Sequence, residues 1–168
     1  MSDTVSSILK SSAGQTLGAM ASILAKGKAH AEAAGIDGAN FLAARLYPDM
    51  HPLTRQVQIA CDVAARGAAR LSGADIPSFP DTETSFDELI ARCKAALAYV
   101  EGADSAAMDA NERVTLQIPM GENTMPMEGR QFLSGFVLPN MHFHAAIAYA
   151  LLRHQGVTIG KRDFLVPG

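Results

Sequence analysis

The sequence is poor in several features that would mark particular protein classes. It has no tryptophan, and aromatic residues make up only 6% of its 168 residues. Charged residues make up 18%, and the formal net charge at pH 7 is -3. A nucleic-acid binder would show a basic excess, so we predict no nucleic-acid partner. Hydrophobic residues reach 48%, which excludes a disordered chain, because such chains are poor in apolar residues.

Cysteine, targeting signals and long apolar runs are also scarce. Cys61 and Cys93 are too few for a disulfide framework, and we interpret them as reduced core thiols. The N-terminus has neither the basic nor the apolar segment of a secretory signal. The apolar stretches are interrupted before they reach the roughly 18 residues of a transmembrane helix. We therefore predict a cytoplasmic protein with no membrane partner.

The sequence also lacks the common nucleotide-binding and nucleophile motifs. No GxGxxG, P-loop, GxSxG or CxxC pattern occurs. The length corresponds to one domain, which we place at residues 1–168. Any function must therefore be sought in single side chains rather than in a motif.

Apolar residues recur at helical spacing and predict an all-α four-helix bundle. Asp49 is the expected N-cap of the second helix. Ser85 and Glu88 form a capping-box pattern at the start of the third, and Gly156 follows the end of the fourth. A short helix is also possible within residues 36–46. The predicted bounds of the main helices are about 4–34, 50–72, 86 onward, and 133 or 139 to 155.

A segment that alternates like a strand precedes the last helix and predicts a small two-stranded hairpin at about residues 113–128. A lone hairpin is marginal, so we expect it to pack on the helices. Three methionines, Met120, Met125 and Met127, cluster in it. We interpret them as packing or interface residues.

The polar residue of most interest is His144, because it lies on the apolar stripe of the fourth helix. Asn140 lies one turn earlier, so both side chains are expected to point toward the bundle interior. Gln56 lies on the inward stripe of the second helix and is a candidate partner, because buried polar groups need hydrogen bonds. His51, expected in the first turn of that helix, could line the same pocket. The pocket candidates are His144, Asn140, Gln56, His51 and Tyr149.

A metal at His144 is the competing interpretation of this region. Catalytic zinc sites use three His or carboxylate ligands and one open position. Asn140 stands where a second His would be expected, and an amide is a poor zinc ligand beside imidazole. We therefore favour a hydrogen-bonded polar pocket, with a divalent zinc, nickel or iron ion on His144 as the alternative.

Two separated groups of residues resemble a known family. One group comprises residues 132–140, 143–144, 148–149, 152–154, 156–157 and 160–165, and the other comprises residues 47–50, 52–53 and 55–62. Together they resemble a bacterial family of unknown function, the one numbered nineteen ninety-three. That family is similar to the DinB/YfiT-like superfamily of metalloenzymes.

The resemblance implies a four-helix bundle that is commonly dimeric. In the superfamily, a His on helix two and an HxxxH pattern on helix four hold a divalent metal, and some members are metal-dependent thiol transferases. The last His of that pattern matches His144, twelve residues before Gly156, whereas the first falls on Asn140. The helix-two ligand falls near Gln56 or Gln58, so one of three ligands is retained.

Three functions remain open at this point. We favour a homodimeric bundle with a degenerate metal site that binds a small molecule or has a non-catalytic role. One alternative is a divalent-metal-dependent thiol transferase or hydrolase, in which His51 or a carboxylate reaches His144. The other is a protein-interaction module that uses the methionine-rich hairpin.

Overall fold

Four long helices form the body of the protein, as predicted. The structure, a computed structural model, describes residues 4–166. The long helices are α1 (Val5–Ala34), α3 (Leu53–Ser72), α4 (Phe86–Gly102) and α7 (Leu138–His154). Short helices and one antiparallel hairpin connect or extend them: α2 (Gly38–Ala43), α5 (Ser105–Ala110), β1 (Thr115–Met120), β2 (Asn123–Glu128), α6 (Gly129–Phe132) and α8 (Lys161–Leu165).

The ends of the long helices follow local backbone chemistry. The side chain of Ser85 accepts a hydrogen bond from the Glu88 N–H, and the Glu88 side chain returns to the Ser85 N–H, so the predicted capping box is present. The predicted start of α3 was wrong, however. Pro52 is the N-cap and Asp49 is not. A residue before proline is disfavoured in the helical conformation, which keeps His51 outside the helix.

The bundle core lies where α1 packs on α4 and α7, and where α3 packs on the same two helices. Gly27 of α1 allows a close approach, since a Cβ there would lie 2.9 Å from Leu152. Gly67 of α3 also allows a close approach, since a Cβ there would lie 2.8 Å from the side chain of Val137. Cys61 and Cys93 are both buried and free, with their Sγ atoms 3.9 Å apart across α3 and α4.

The last long helix is continuous with α6 through one wider turn. Residues Leu133–Val137 form a π-helical turn, in which the Leu138 N–H donates to the Leu133 carbonyl. The whole stretch Gly129–His154 has the length and composition of a membrane-crossing helix. A core helix has the same profile; here 33% of the most apolar window is buried, and the stretch supplies Phe132, Met141 and Leu151 to the core.

The hairpin is amphipathic, and one of its faces packs on the bundle. Ile118 pairs with Met125, and Leu116 pairs with Met127, so these apolar residues share one face. Ile118 is buried, and Leu116 and Met127 are partly buried against the core, whereas Met120 and Met125 are 40% and 43% exposed. The predicted packing on the helices is therefore confirmed for this face, except at the two exposed methionines.

Candidate polar pocket at His144

A direct hydrogen bond joins α7 to α3 at the predicted site. His144 Nδ1 lies 2.7 Å from Oε1 of Gln56. Gln56 is 2% exposed, while His144 is only partly buried at the edge of the helix interface. The structure therefore brings these two predicted residues together, with the imidazole still partly exposed.

The hydrogen bonds of Gln56 determine which nitrogen of His144 carries the proton. The Gln56 amide Nε2 donates to the carbonyl of His51 over 3.1 Å, so Oε1 is the atom that faces His144. An amide oxygen only accepts, so Nδ1 of His144 must donate. Nε2 of the neutral imidazole then holds the lone pair that is free to meet a ligand.

The surroundings of His144 favour this neutral form. Burial lowers the pKa of the imidazole below its ordinary value, and the nearby positive charges of His51 and Arg55 lower it further. At neutral pH the ring is therefore a hydrogen-bond acceptor or a base through Nε2.

The other predicted pocket residues are placed differently. His51 contributes its main-chain carbonyl to the Gln56 amide, and its side chain is exposed. Asn140 Nδ2 donates to the Phe136 carbonyl of its own helix over 2.9 Å. Asn140 and His144 are both partly buried, but within residues 4–166 no hydrogen bond joins Asn140 to His144 or to Gln56.

Tyr149 does not belong to this pocket, which corrects the sequence prediction. It lies five residues after His144, and so about 140° further around the helix. Its ring packs edge-on against Phe164 of α8, with the centroids 5.8 Å apart. The two rings line a separate small apolar cleft with Ala146 and Lys161.

The donor set at His144 does not fit the divalent metal of the DinB superfamily. It offers one imidazole, and the neighbouring Gln56 amide is already used to orient that ring. In the part of the chain that the structure describes, no group of three or more His, Cys, Asp or Glu side chains is placed to hold a metal ion.

A second polar cluster lies between α3, α4 and the loop that joins them; it was missed from the sequence, and we call it the Arg92 network. The guanidinium of Arg92, with 2% of its side chain exposed, contacts Asp62 at 2.7 Å, Asp81 at 3.0 Å and Glu83 at 2.8 Å. Burial alone would raise the pKa of Glu83, but hydrogen bonds from Arg92 and Gln58 outweigh it and hold that pKa below its ordinary value. The sequence feature that could have indicated this network is the pair of acidic residues in the loop before α4, Asp81 and Glu83.

Known proteins share this architecture over nearly the whole chain. A crystal structure of a DinB family member protein from Shewanella denitrificans is similar over 95% of this chain and 93% of that chain, with a TM-score of 0.84 and 36% identity. The fold is thus a DinB-like four-helix bundle. No curated protein matches the sequence. Residues 7–165 match the family described as Domain of unknown function (DUF1993), and the chain belongs to that family. The predicted family and fold are both confirmed.

Proposed function

We propose that this chain binds a small molecule at the pocket formed by His144 and Gln56, without a divalent metal and without metal-dependent catalysis. The observation that supports this is the 2.7 Å hydrogen bond between the two side chains. It gives the amide the role of orienting the imidazole, as outer partners do for functional histidines. A ligand hydroxyl or N–H would donate to the free Nε2 of His144.

The metal content of tag-free protein tests this proposal, measured by elemental mass spectrometry. A His tag would itself bind metal, and so must be removed. We expect no near-stoichiometric zinc, nickel or iron in the purified protein, and none after addition of zinc or nickel. The matched variants are His144→Ala and His154→Ala, the latter an exposed histidine on the same helix.

Stoichiometric metal that is lost in His144→Ala, and kept in His154→Ala, would overturn the proposal. The metal-dependent thiol transferase or hydrolase would then be the better description, and thiol co-substrates would be assayed next. Ring-nitrogen NMR gives an independent check, since the proposal requires a neutral His144 protonated on Nδ1.

The outward face of α1 supports a homodimer as the working state. Its residues are small and uncharged, and they recur at spacings of three, four and seven residues, which keeps them on one side of the helix. A Cβ added at Gly14 would meet nothing within 4 Å, so packing within one subunit does not explain this glycine. A second copy of α1 lying across this face would explain it. The face comprises Ser7, Ser11, Gly14, Gly18, Ala25 and Ala29.

Light scattering after size exclusion tests the dimer. We expect Gly14→Arg to give monomers, while Ala91→Arg, at an exposed position of α4, leaves the dimer intact. The exposed Met120 and Met125 support the hairpin as the alternative contact between two copies. In that case Met125→Arg, and not Gly14→Arg, would give monomers. We also propose a cytoplasmic location without nucleic-acid or membrane partners, on the basis of charge and composition.

A further inference from the structure

A concave site that does not include His144 lies between α3, β1 and the π-helical turn. Its volume is about 290 Å³, near the lower limit of small-molecule sites. We call it the arginine cleft, because three guanidinium groups of α3 line it. The side chains that carry the argument are Arg55, Arg66, Arg70, Ile118, Phe132 and Phe136.

The apolar wall of the cleft depends on the π-helical turn. Phe132 and Phe136 stack with their centroids 5.7 Å apart and their planes at 21°. Phe132 is buried, whereas Phe136 is only partly buried, so Phe136 is the ring available to a ligand. The turn approaches α3 at Gly67, where any Cβ would strike Val137. π-helical turns often occur at functional sites.

The cationic side of the cleft carries more positive than negative charge. Arg55 pairs with Asp81 at 2.5 Å, and Arg66 pairs with Asp62 at 3.3 Å. Asp62 is also held by Arg92. Within residues 4–166, the Arg70 side chain has no hydrogen bond or ion pair, although the residue is partly buried against the cleft. One cation therefore faces this cleft without an internal counter-charge.

We propose that the arginine cleft binds a small organic monoanion, namely an aromatic carboxylate. The carboxylate pairs with the planar guanidinium of Arg70, a geometry that allows two parallel hydrogen bonds. The aromatic body packs on Phe136 and Ile118. Arg66 provides a second cation at the rim of the cleft. It can leave Asp62 to contact the ligand, because Asp62 remains paired with Arg92. This site does not rest on the function proposed for His144.

The experiment is a calorimetric titration of the full chain with 1-naphthoate and with the neutral 1-naphthamide. We expect saturable binding of the acid at micromolar to millimolar concentration, at least about tenfold weaker binding of the amide, and weaker binding of the acid at high salt. Arg70→Gln should weaken naphthoate binding at least about tenfold. Arg162→Gln on α8 and His144→Ala should leave it unchanged, which separates this site from the His144 pocket.

Equal binding of acid and amide would overturn the proposal, as would unchanged affinity in Arg70→Gln or the absence of saturable binding. Backbone NMR of the unmodified chain locates the ligand without any variant. Naphthoate-induced shifts should be largest at Phe136, Val137 and Arg70. Shifts confined to other elements would equally exclude the cleft.

Discussion

Helix α3 takes part in two polar clusters that differ in how their groups are paired. In the Arg92 network, one buried guanidinium of α4 meets three carboxylates, although its Nε has no hydrogen-bond partner in the described part of the chain. In the His144 pocket, one neutral imidazole meets one amide, and its Nε2 has no hydrogen-bond partner within residues 4–166. The first cluster leaves little capacity for a ligand, because its charges are paired within the protein. The second cluster has an unused acceptor, Nε2 of His144, which could accept a hydrogen bond from a ligand.

The two clusters also differ in what their loss would cost. A buried charge without its partner is far more costly than an unpaired neutral group, because an ion loses more hydration on burial. The Arg92 network is therefore expected to control stability, and the His144 pocket to control binding. Four measurements sharpen or break this comparison.

The largest expected effect is that of Arg92→Met. The substitution leaves Asp62, Asp81 and Glu83 without their shared cation, and should lower the free energy of unfolding by about 3–5 kcal/mol. Urea unfolding measures it. Lys94→Met, at an exposed position of the same helix, should change it by less than about 0.5 kcal/mol. A loss below about 1 kcal/mol for Arg92→Met would mean that the network is not structural.

Gln56→Ala should have an intermediate effect. It removes the acceptor of His144 Nδ1 and the donor to the His51 carbonyl, and unpaired buried groups cost about 1–3 kcal/mol. The matched control is Gln131→Ala, at an exposed position of α6. If both variants unfold at the same urea concentration, the hydrogen bond contributes nothing measurable to stability.

The pH dependence of stability should show two separate windows. The pKa of His144 is lowered from 6.5 by folding, so the unfolded chain takes up the proton first. Stability therefore falls as the pH drops below about 6.5. Burial lowers the pKa of His142 as well, so both histidines contribute to this first window. The pKa of Glu83 is lowered from 4.5, so its contribution is lost only below about pH 4.5. In urea unfolding at a series of pH values, His144→Ala should reduce the first window and keep the second; a first window of unchanged size would contradict the assignment.

The smallest effect is expected for Arg66→Gln. The Arg66 side chain is 53% exposed, and its partner Asp62 keeps the contact with Arg92. Exposed pairs of this kind contribute about 0–1 kcal/mol. Chemical unfolding that shows a loss as large as that of Arg92→Met would mean that the network extends to the surface.

The sequence predicted the His144 pocket in part, and the reason is geometric. Gln56 and His144 lie on the inward stripes of helices that face each other, so periodicity brings them together. Asn140 could not be placed in this way, because its amide finds a nearer acceptor at the Phe136 carbonyl. Tyr149 was wrongly assigned to the His144 pocket. Its ring packs on Phe164, which lies on a short helix that the sequence pattern did not predict.

Helical periodicity could not predict the Arg92 network or the arginine cleft. Apolar periodicity assigns arginines to the surface, and Arg92 is buried only because acids from α3 and from a loop converge on it. The cleft needs the π-helical turn, which depends on the fit between Val137 and Gly67 rather than on local propensity.

The π-helical turn also fixes the number of residues between the hairpin and α7. Deleting Gly135 would remove the one residue that the wider turn holds in addition to ordinary helical spacing. The helix would then be regular, and Phe132 and His144 would keep nearly the same relative orientation, but the widened turn beside Gly67 would be gone. Relatives that carry a one-residue gap here should therefore lack this wall of the cleft, even where every side chain around His144 is identical.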